Sequence, residues 1–283
     1  MQVGWTLRGL LAGLVLGGCH YLGPGDAPIH ARVAPAGSPV PTVELHEAAP
    51  GSDCLLVLLP GIGDGADRFA EVGFLQDAAR ARAGCDVALA DARFSHYVAQ
   101  QVEERLGEVL RDARRRGYRS IWLVGVSLGG YGAVLTARAH PSLVDGLVLL
   151  APMLGVPPRE ADVVREVRAA GGLRAWPGVR GAIPPPRHHF REPRLVWDWL
   201  HDAVVDPRRA ERVVLAYGEG DRLADRHGLL ADALPDHRVF RRAGAHDWGT
   251  WRALWRRVLR AKPWTLDAPS APGAVAGASP YDG

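Results

Sequence analysis

A series of short, predominantly apolar segments separated by longer amphipathic ones constrains this chain more than any other feature. Cys54–Leu59 (CLLVLL), Asp86–Ala90 and residues 121–126, 144–151 and 212–217 are too short for buried helices and lack the alternation of a half-exposed strand. A strand covered on both faces reads this way, because neither set of alternate side chains meets water. A sixth strand, less apolar, is expected at 237–240. Between the strands lie stretches of helical period: 67–83, 97–116, 128–140 (stopped by Pro141) and 248–260. In the last of these, Trp251, Leu254, Trp255 and Val258 share one face. Strands alternating with helices predict an α/β fold, a mainly parallel sheet with helices on both faces.

Two stretches interrupt the alternation. Residues 152–206 are too long for a simple crossover and carry Pro157, Pro158, Pro184, Pro185 and Pro186 around two helical pieces, 160–170 and 195–206. The segment leaves the fourth strand at its C-terminal end, where open α/β sheets bind ligands. It is therefore expected to form a cap, with Trp176, Val179, Ile183, Phe190, Trp197 and Trp199 as candidates for a pocket wall. Residues 263–283 are rich in Ala, Pro, Gly and Ser and read as a disordered tail. The resulting organisation is 1–18 leader, 19–50 tether with a peripheral strand near 42–46, 51–262 folded domain and 263–283 tail.

The leader reading rests on Arg8, the apolar run GLLAGLVL at 9–16, and the string Leu16-Gly17-Gly18-Cys19. The apolar run is shorter than the roughly 18 residues needed to cross a bilayer. The string resembles a bacterial lipobox, in which the cysteine thiol takes a diacylglycerol and becomes the mature N-terminus. That resemblance implies export and a lipid anchor on Cys19, placing the domain at a membrane in the cell envelope. Charge points to no nucleic acid. The net charge is +3 and Lys262 is the only lysine, and the arginines are interspersed with Asp and Glu rather than gathered in a stripe. Nothing marks an obligate protein partner.

The chemistry centres on Gly125-Val126-Ser127-Leu128-Gly129, a G-x-S-x-G string that follows an apolar strand and opens an apolar helix. A serine at the tip of so sharp a turn needs small residues two positions either side. Its hydroxyl is a weak nucleophile at neutral pH, so it needs a base, and the base needs an orienting acid. Asp221 follows the fifth strand and His246 lies in the loop before the last helix, in the order Ser, Asp, His. Glu219 is a rival for the acid. Asp247, next to His246, is better placed to cap the last helix. The oxyanion donors are expected to be the N–H groups of Leu128 and of Ile62, in the loop Pro60-Gly61-Ile62-Gly63-Asp64-Gly65, with Asp64 bracing that loop. His188 and His189 are adjacent and have no matching Cys or carboxylate spacing, so no metal site is expected, and no cofactor.

The strings LLPGIGDG, GVSLGGYGAVL, YGEGDRL and GAHDWGTW resemble the α/β-hydrolase superfamily over residues 54–261. The His-Asp-Trp stretch is similar to an esterase branch that includes feruloyl esterases and mycolyltransferases. The resemblance implies Ser127 as nucleophile, His246 as base and Asp221 as orienter. It also implies hydrolysis of an ester or thioester, from a small-molecule or lipid substrate, through an acyl-enzyme. Family members often have His-Gly where this chain has Pro60-Gly61. In such a fold Cys54 and Cys85 begin neighbouring parallel strands, which predicts a disulfide in an exported protein. Two other readings stand beside the ester hydrolase: a peptidase or acyltransferase on the same fold, and a non-catalytic lipoprotein that uses the fold as a binding module.

Overall fold

The computed structural model describes residues 24–34, 36, 43–45, 50–155, 159–178 and 193–265. Cys19 and the leader, the tail from 266 on, and the expected wall residues Val179, Ile183 and Phe190 lie outside the described residues.

The apolar runs form the middle of one sheet. β3 (Cys54–Leu59), β5 (Ser120–Val126), β6 (Gly146–Leu150) and β7 (Val213–Gly218) lie side by side in parallel. β4 (Asp86–Ala90) pairs with β3, and β8 (Val239–Arg242) pairs with β7 at one edge, both parallel. Two short strands, β1 (Ala31–Ala34) and β2 (Val43–Glu44), extend the other edge antiparallel, giving the order β2-β1-β4-β3-β5-β6-β7-β8. Every residue of β3, β6 and β7 is buried, as the continuous apolar runs require. Burying each leucine of such a strand stabilises the fold by about 1.5–3 kcal/mol. In contrast β8 is half to fully exposed, which explains its weaker apolar signal.

The order reverses at β3. From β3 the chain crosses to β4 on one side, and later elements step from β5 to β6 and β7 on the other. Right-handed crossovers then place the first helices and α5 (Leu128–Ala139) on opposite faces. Beyond the carboxyl ends of β3 and β5 this reversal opens a crevice, the site such sheets use for ligands.

The helix expected at 67–83 is two helices, α1 (Arg68–Glu71) and α2 (Phe74–Arg80). Gly73 parts them at φ +84°, and a side-chain carbon there would lie 2.3 Å from the Arg252 guanidinium. The glycine lets Arg252 reach the buried Asp77 carboxylate at 2.6 Å. The stretch expected as one helix at 97–116 is likewise α3 (Phe94–Val98) and α4 (Val102–Arg115), separated where Gln100 adopts φ +57°. Here buried His96 binds the Ala27 carbonyl at 3.1 Å and pins α3 to the N-terminal segment.

The insertion supplies α6 (Arg159–Ala169) and α7 (Pro193–Val205), followed by α8 (Pro207–Ala210). Its described part packs against the domain rather than standing over an open pocket. Val196, Trp197, Leu200, Ala203 and Val204 of α7 are fully buried in the main core. Trp197, expected as a pocket wall, is 0% exposed and so meets no substrate. Trp199 faces a cavity of about 260 Å³ with Asp145, Gly146 and Arg212, at the amino ends of β6 and β7. That is the edge opposite Ser127. Trp176 is buried edge-to-face on His201. The apolar content of the insertion's described part is therefore spent largely on core.

The last described elements are α9 (Ala224–Ala231), α10 (Trp248–Ala261) and a short 3-10 turn, Pro263–Thr265. Trp264 is buried and donates to the Ala83 carbonyl at 2.9 Å, so the folded chain extends past the expected boundary at 262. Cys54 and Cys85 are joined in a disulfide, with Cα atoms 4.6 Å apart. Leu55 pairs in register with Asp86, so the residues preceding them sit side by side at about the 4.8 Å spacing of strands. By loop entropy a bridge of separation 31 stabilises the fold by about 3–4 kcal/mol. Among the described residues, no helix is long and apolar enough to cross a membrane.

Candidate active site

Ser127 sits between β5 and α5 with φ 49° and ψ −110°, a conformation side chains other than glycine rarely adopt. Tight packing enforces it. A side-chain carbon at Gly125 would lie 2.4 Å from the Gly129 carbonyl oxygen, and one at Gly129 would lie 2.1 Å from that of Leu59. Only glycine at both positions lets the turn close against β3. The Ser127 N–H donates to the Leu150 carbonyl at 3.0 Å, and the Met153 N–H donates to the Ser127 carbonyl at 2.8 Å. The turn is thus clamped to the end of β6 and to the start of the insertion.

Pairing between β7 and β8 continues into the loops beyond them. The N–H of Glu219 donates to the Arg242 carbonyl at 2.8 Å and that of Gly220 to the Gly244 carbonyl at 2.9 Å. This brings the loop bearing Asp221 against the loop bearing His246. His246 Nδ1 is 2.7 Å from Asp221 Oδ2, and its Nε2 is 3.0 Å from Ser127 Oγ. Asp221 Oδ1 accepts the Leu223 N–H at 2.8 Å. The Asp221 side chain is 0% exposed and that of His246 11%. Burial opposes the Asp221 charge, but the hydrogen bonds from His246 and Leu223 outweigh it and hold the carboxyl below the usual carboxylate range. A carboxylate at Nδ1 keeps the imidazole proton there and leaves the Nε2 lone pair facing the hydroxyl. That arrangement can accept a proton from Ser127 Oγ and return it to a leaving group.

The rival acids fall outside this line. Glu219 is exposed, with only its backbone tied to β8. Asp247 caps α10, accepting the Thr250 N–H at 2.9 Å. On the donor side, a carbon at Gly61 would lie 3.6 Å from Ser127 Cβ, so the 60–65 loop passes at van der Waals distance from Ser127. Leu128 is the first residue of α5, where a backbone N–H has no acceptor within the helix. Ile62 follows Gly61 and projects its side chain into solvent, 53% exposed. Asp91 pairs with Arg93 at 2.7 Å and, with Asp64, lines a polar cavity of about 520 Å³ beside this loop. No group of three or more His, Cys, Asp or Glu able to hold a metal occurs among the described residues.

Two supporting residues were not legible in the sequence. Trp251 places its ring edge-on to His246, centroids 4.9 Å apart, and so limits rotation of the imidazole. His227, on α9, is fully buried against Tyr217, with Nε2 2.9 Å from the Pro152 carbonyl. Since a carbonyl only accepts, Nε2 carries a proton in this bond. Burial drives the His227 pKa down to about 4. The unfolded chain therefore takes up a proton near pH 6.5 that the folded chain refuses until about pH 4. A depressed histidine contributes stability that is present above that window and lost as pH falls through it. The expected loss is about 1.4 kcal/mol per pH unit from this group, about 3 kcal/mol in all. Urea midpoints measured from pH 7 to 4.5 should fall less steeply in His227→Gln than in the parent. Equal slopes would remove His227 as the source.

A protein-family profile described as alpha/beta hydrolase fold matches residues 55–186. Among solved structures, the fluorophosphonate-binding serine hydrolase FphF of Staphylococcus aureus, with substrate bound, aligns at TM-score 0.52 and 14% identity, over 84% of this chain and 99% of that one. A ferulic acid esterase aligns at TM-score 0.51 and 14% identity, over 74% and 84% respectively. At these identities the likeness is one of fold. A search of curated proteins returns no significant match.

Proposed function

We propose, from the premise that this chain has the α/β-hydrolase fold, that it is a serine hydrolase cleaving carboxylic esters or thioesters through an acyl-enzyme. One observation carries the reading: Ser127 Oγ, the His246 ring and the Asp221 carboxylate stand in one hydrogen-bonded line, at 3.0 and 2.7 Å. Ser127 Oγ attacks the acyl carbon while His246 Nε2 takes its proton. The N–H groups of Leu128 and Ile62 receive the negative charge that develops on the carbonyl oxygen. His246 then protonates the leaving alcohol or thiol, and water releases the acyl group by the same steps in reverse. The ferulic acid esterase and the S. aureus serine hydrolase support the same reaction class here. Labelling by a fluorophosphonate probe is the direct test. The native protein should be labelled stoichiometrically on Ser127 and the unfolded protein left unlabelled. A native protein that the probe leaves untouched would favour the non-catalytic binding module.

The proposal includes export and a lipid anchor on Cys19, supported by the apolar run 9–16 and the Leu-Gly-Gly-Cys string. A lipid ester presented at the same membrane then becomes as accessible a substrate as a soluble one. Cys19→Ser should move the protein from the membrane to the soluble fraction with its specific activity intact. Membrane retention of that variant would show that another feature anchors it.

A further inference from the structure

The geometry points to Trp248 as a positioning residue that, through Asp64, ties the oxyanion loop to the histidine loop; the inference rests on the serine hydrolase reading above. Residues 61–64 form a tight turn, closed by the Asp64 N–H donating to the Gly61 carbonyl at 3.3 Å, with Gly63 at φ +97°. The turn holds Ile62, whose N–H is one proposed oxyanion donor. Glycine on both sides of that residue leaves the turn with little conformational preference of its own. Something beyond the turn must fix it, because an oxyanion donor acts only if held in place before the charge develops.

Asp64 supplies that hold from both ends of the residue. Its backbone closes the turn, and its carboxylate Oδ2 accepts the Trp248 indole N–H at 3.2 Å, a bond between residues 184 apart in sequence. Arg68 lies over the Trp248 ring, 5.9 Å from its centroid, and 3.8 Å from Asp64 Oδ1. The indole is itself fixed. It packs edge-to-face on the buried rings of Phe69 and Phe74, with centroids 5.4 and 5.7 Å away, and on Trp251 at 5.1 Å. Trp251 in turn lies edge-on to His246. One aromatic cluster therefore sets both the ring of the base and the loop of the oxyanion donor. A shift in Trp248 would change the distance between proton acceptor and charge stabiliser, which are assembled from opposite ends of the chain.

The test uses the full-length protein and a chromogenic aryl acetate, with thermal midpoints recorded for every variant. Trp248→Phe keeps a ring but loses the N–H; Asp64→Ala loses the acceptor and leaves the aromatic cluster whole. Each should lower kcat about 10- to 100-fold, below the 10²–10³ cost of deleting an oxyanion donor outright, with KM within about threefold. Asp64→Asn keeps an oxygen acceptor and should restore kcat to within about threefold of the parent. The double variant Trp248→Phe/Asp64→Ala should be no slower than the slower single, because both break one interaction. The inference is overturned if Asp64→Ala stays within about twofold of the parent, if Asp64→Asn falls as far as Asp64→Ala, or if the two losses multiply. Ser127→Ala, run in parallel, separates the premises: an active Ser127→Ala would sink the nucleophile assignment itself, whatever the other variants do.

Discussion

Ser127→Ala is expected to lose at least about 10³-fold in kcat against any ester the parent hydrolyses, while its thermal midpoint stays within a few degrees of the parent's. The first part follows from the line of hydrogen bonds. Without Oγ, His246 Nε2 has no hydroxyl to activate, and only the oxyanion donors and substrate binding remain to accelerate direct attack by water. The second part follows from what the side chain does not do. It packs nothing into the core, and the unusual backbone at φ 49° is imposed by Gly125, Gly129 and the clamps to Leu150 and Met153, all of which the variant keeps. Alanine also removes one polar atom from a site that is 4% exposed, so stability should be unchanged or slightly raised. Steady-state turnover and a melting curve on the same preparation check both parts. Turnover near that of the parent would rule out Ser127 as nucleophile.

The parts of this molecule visible in the sequence are those where one residue type answers one physical demand. Continuous apolar runs mark β3, β6 and β7 because those strands are covered on both faces. The two glycines around Ser127 mark the turn because nothing larger fits between β5, α5 and the Leu59 carbonyl. The pairing of Cys54 with Cys85 follows from the register of neighbouring strands. Elements whose cause lies elsewhere in the chain were hidden. β1 is four residues long and is a strand because β4 offers it an edge; its sequence, ARVA, carries no signal beyond Val33. α9 buries His227 where an apolar residue would reveal the period, so no helical stripe marks 224–231. Gly73 falls inside the stretch expected as one helix, and its need appears only when Arg252 arrives from α10. The tryptophans of the insertion suggested a pocket wall, yet aromatic content alone does not distinguish a wall from a core. Trp197 went to the core and Trp199 to the far edge of the sheet. For the same reason Glu219 remained a rival to the preferred Asp221 in the sequence; the loop pairing beyond β7 and β8 buries the Asp221 carboxylate and leaves that of Glu219 in water.

Asp221→Asn should lower kcat about 10³- to 10⁴-fold with little change in fold, whereas Glu219→Gln should stay within about twofold of the parent. The argument is one of donors and acceptors. In the parent, Oδ1 accepts the Leu223 N–H and Oδ2 faces His246 Nδ1. Asparagine has one oxygen and one NH₂ to place in those two positions. Leu223 offers only a donor, so the amide oxygen must turn to it, and the NH₂ is left facing Nδ1. The imidazole then keeps its neutral form by moving its proton to Nε2, where it points at Ser127 Oγ as a donor. The base that should take the hydroxyl proton is already occupied. The substitution also removes the charge that would stabilise the imidazolium formed during the reaction, and no other carboxylate is placed to replace it, since Glu219 is exposed and Asp247 is engaged with Thr250. The loss should therefore appear in kcat, with KM for a small aryl ester nearly unchanged. A large loss in Glu219→Gln together with a near-normal Asp221→Asn would transfer the orienting role to Glu219 and break the line of hydrogen bonds on which the proposed mechanism depends.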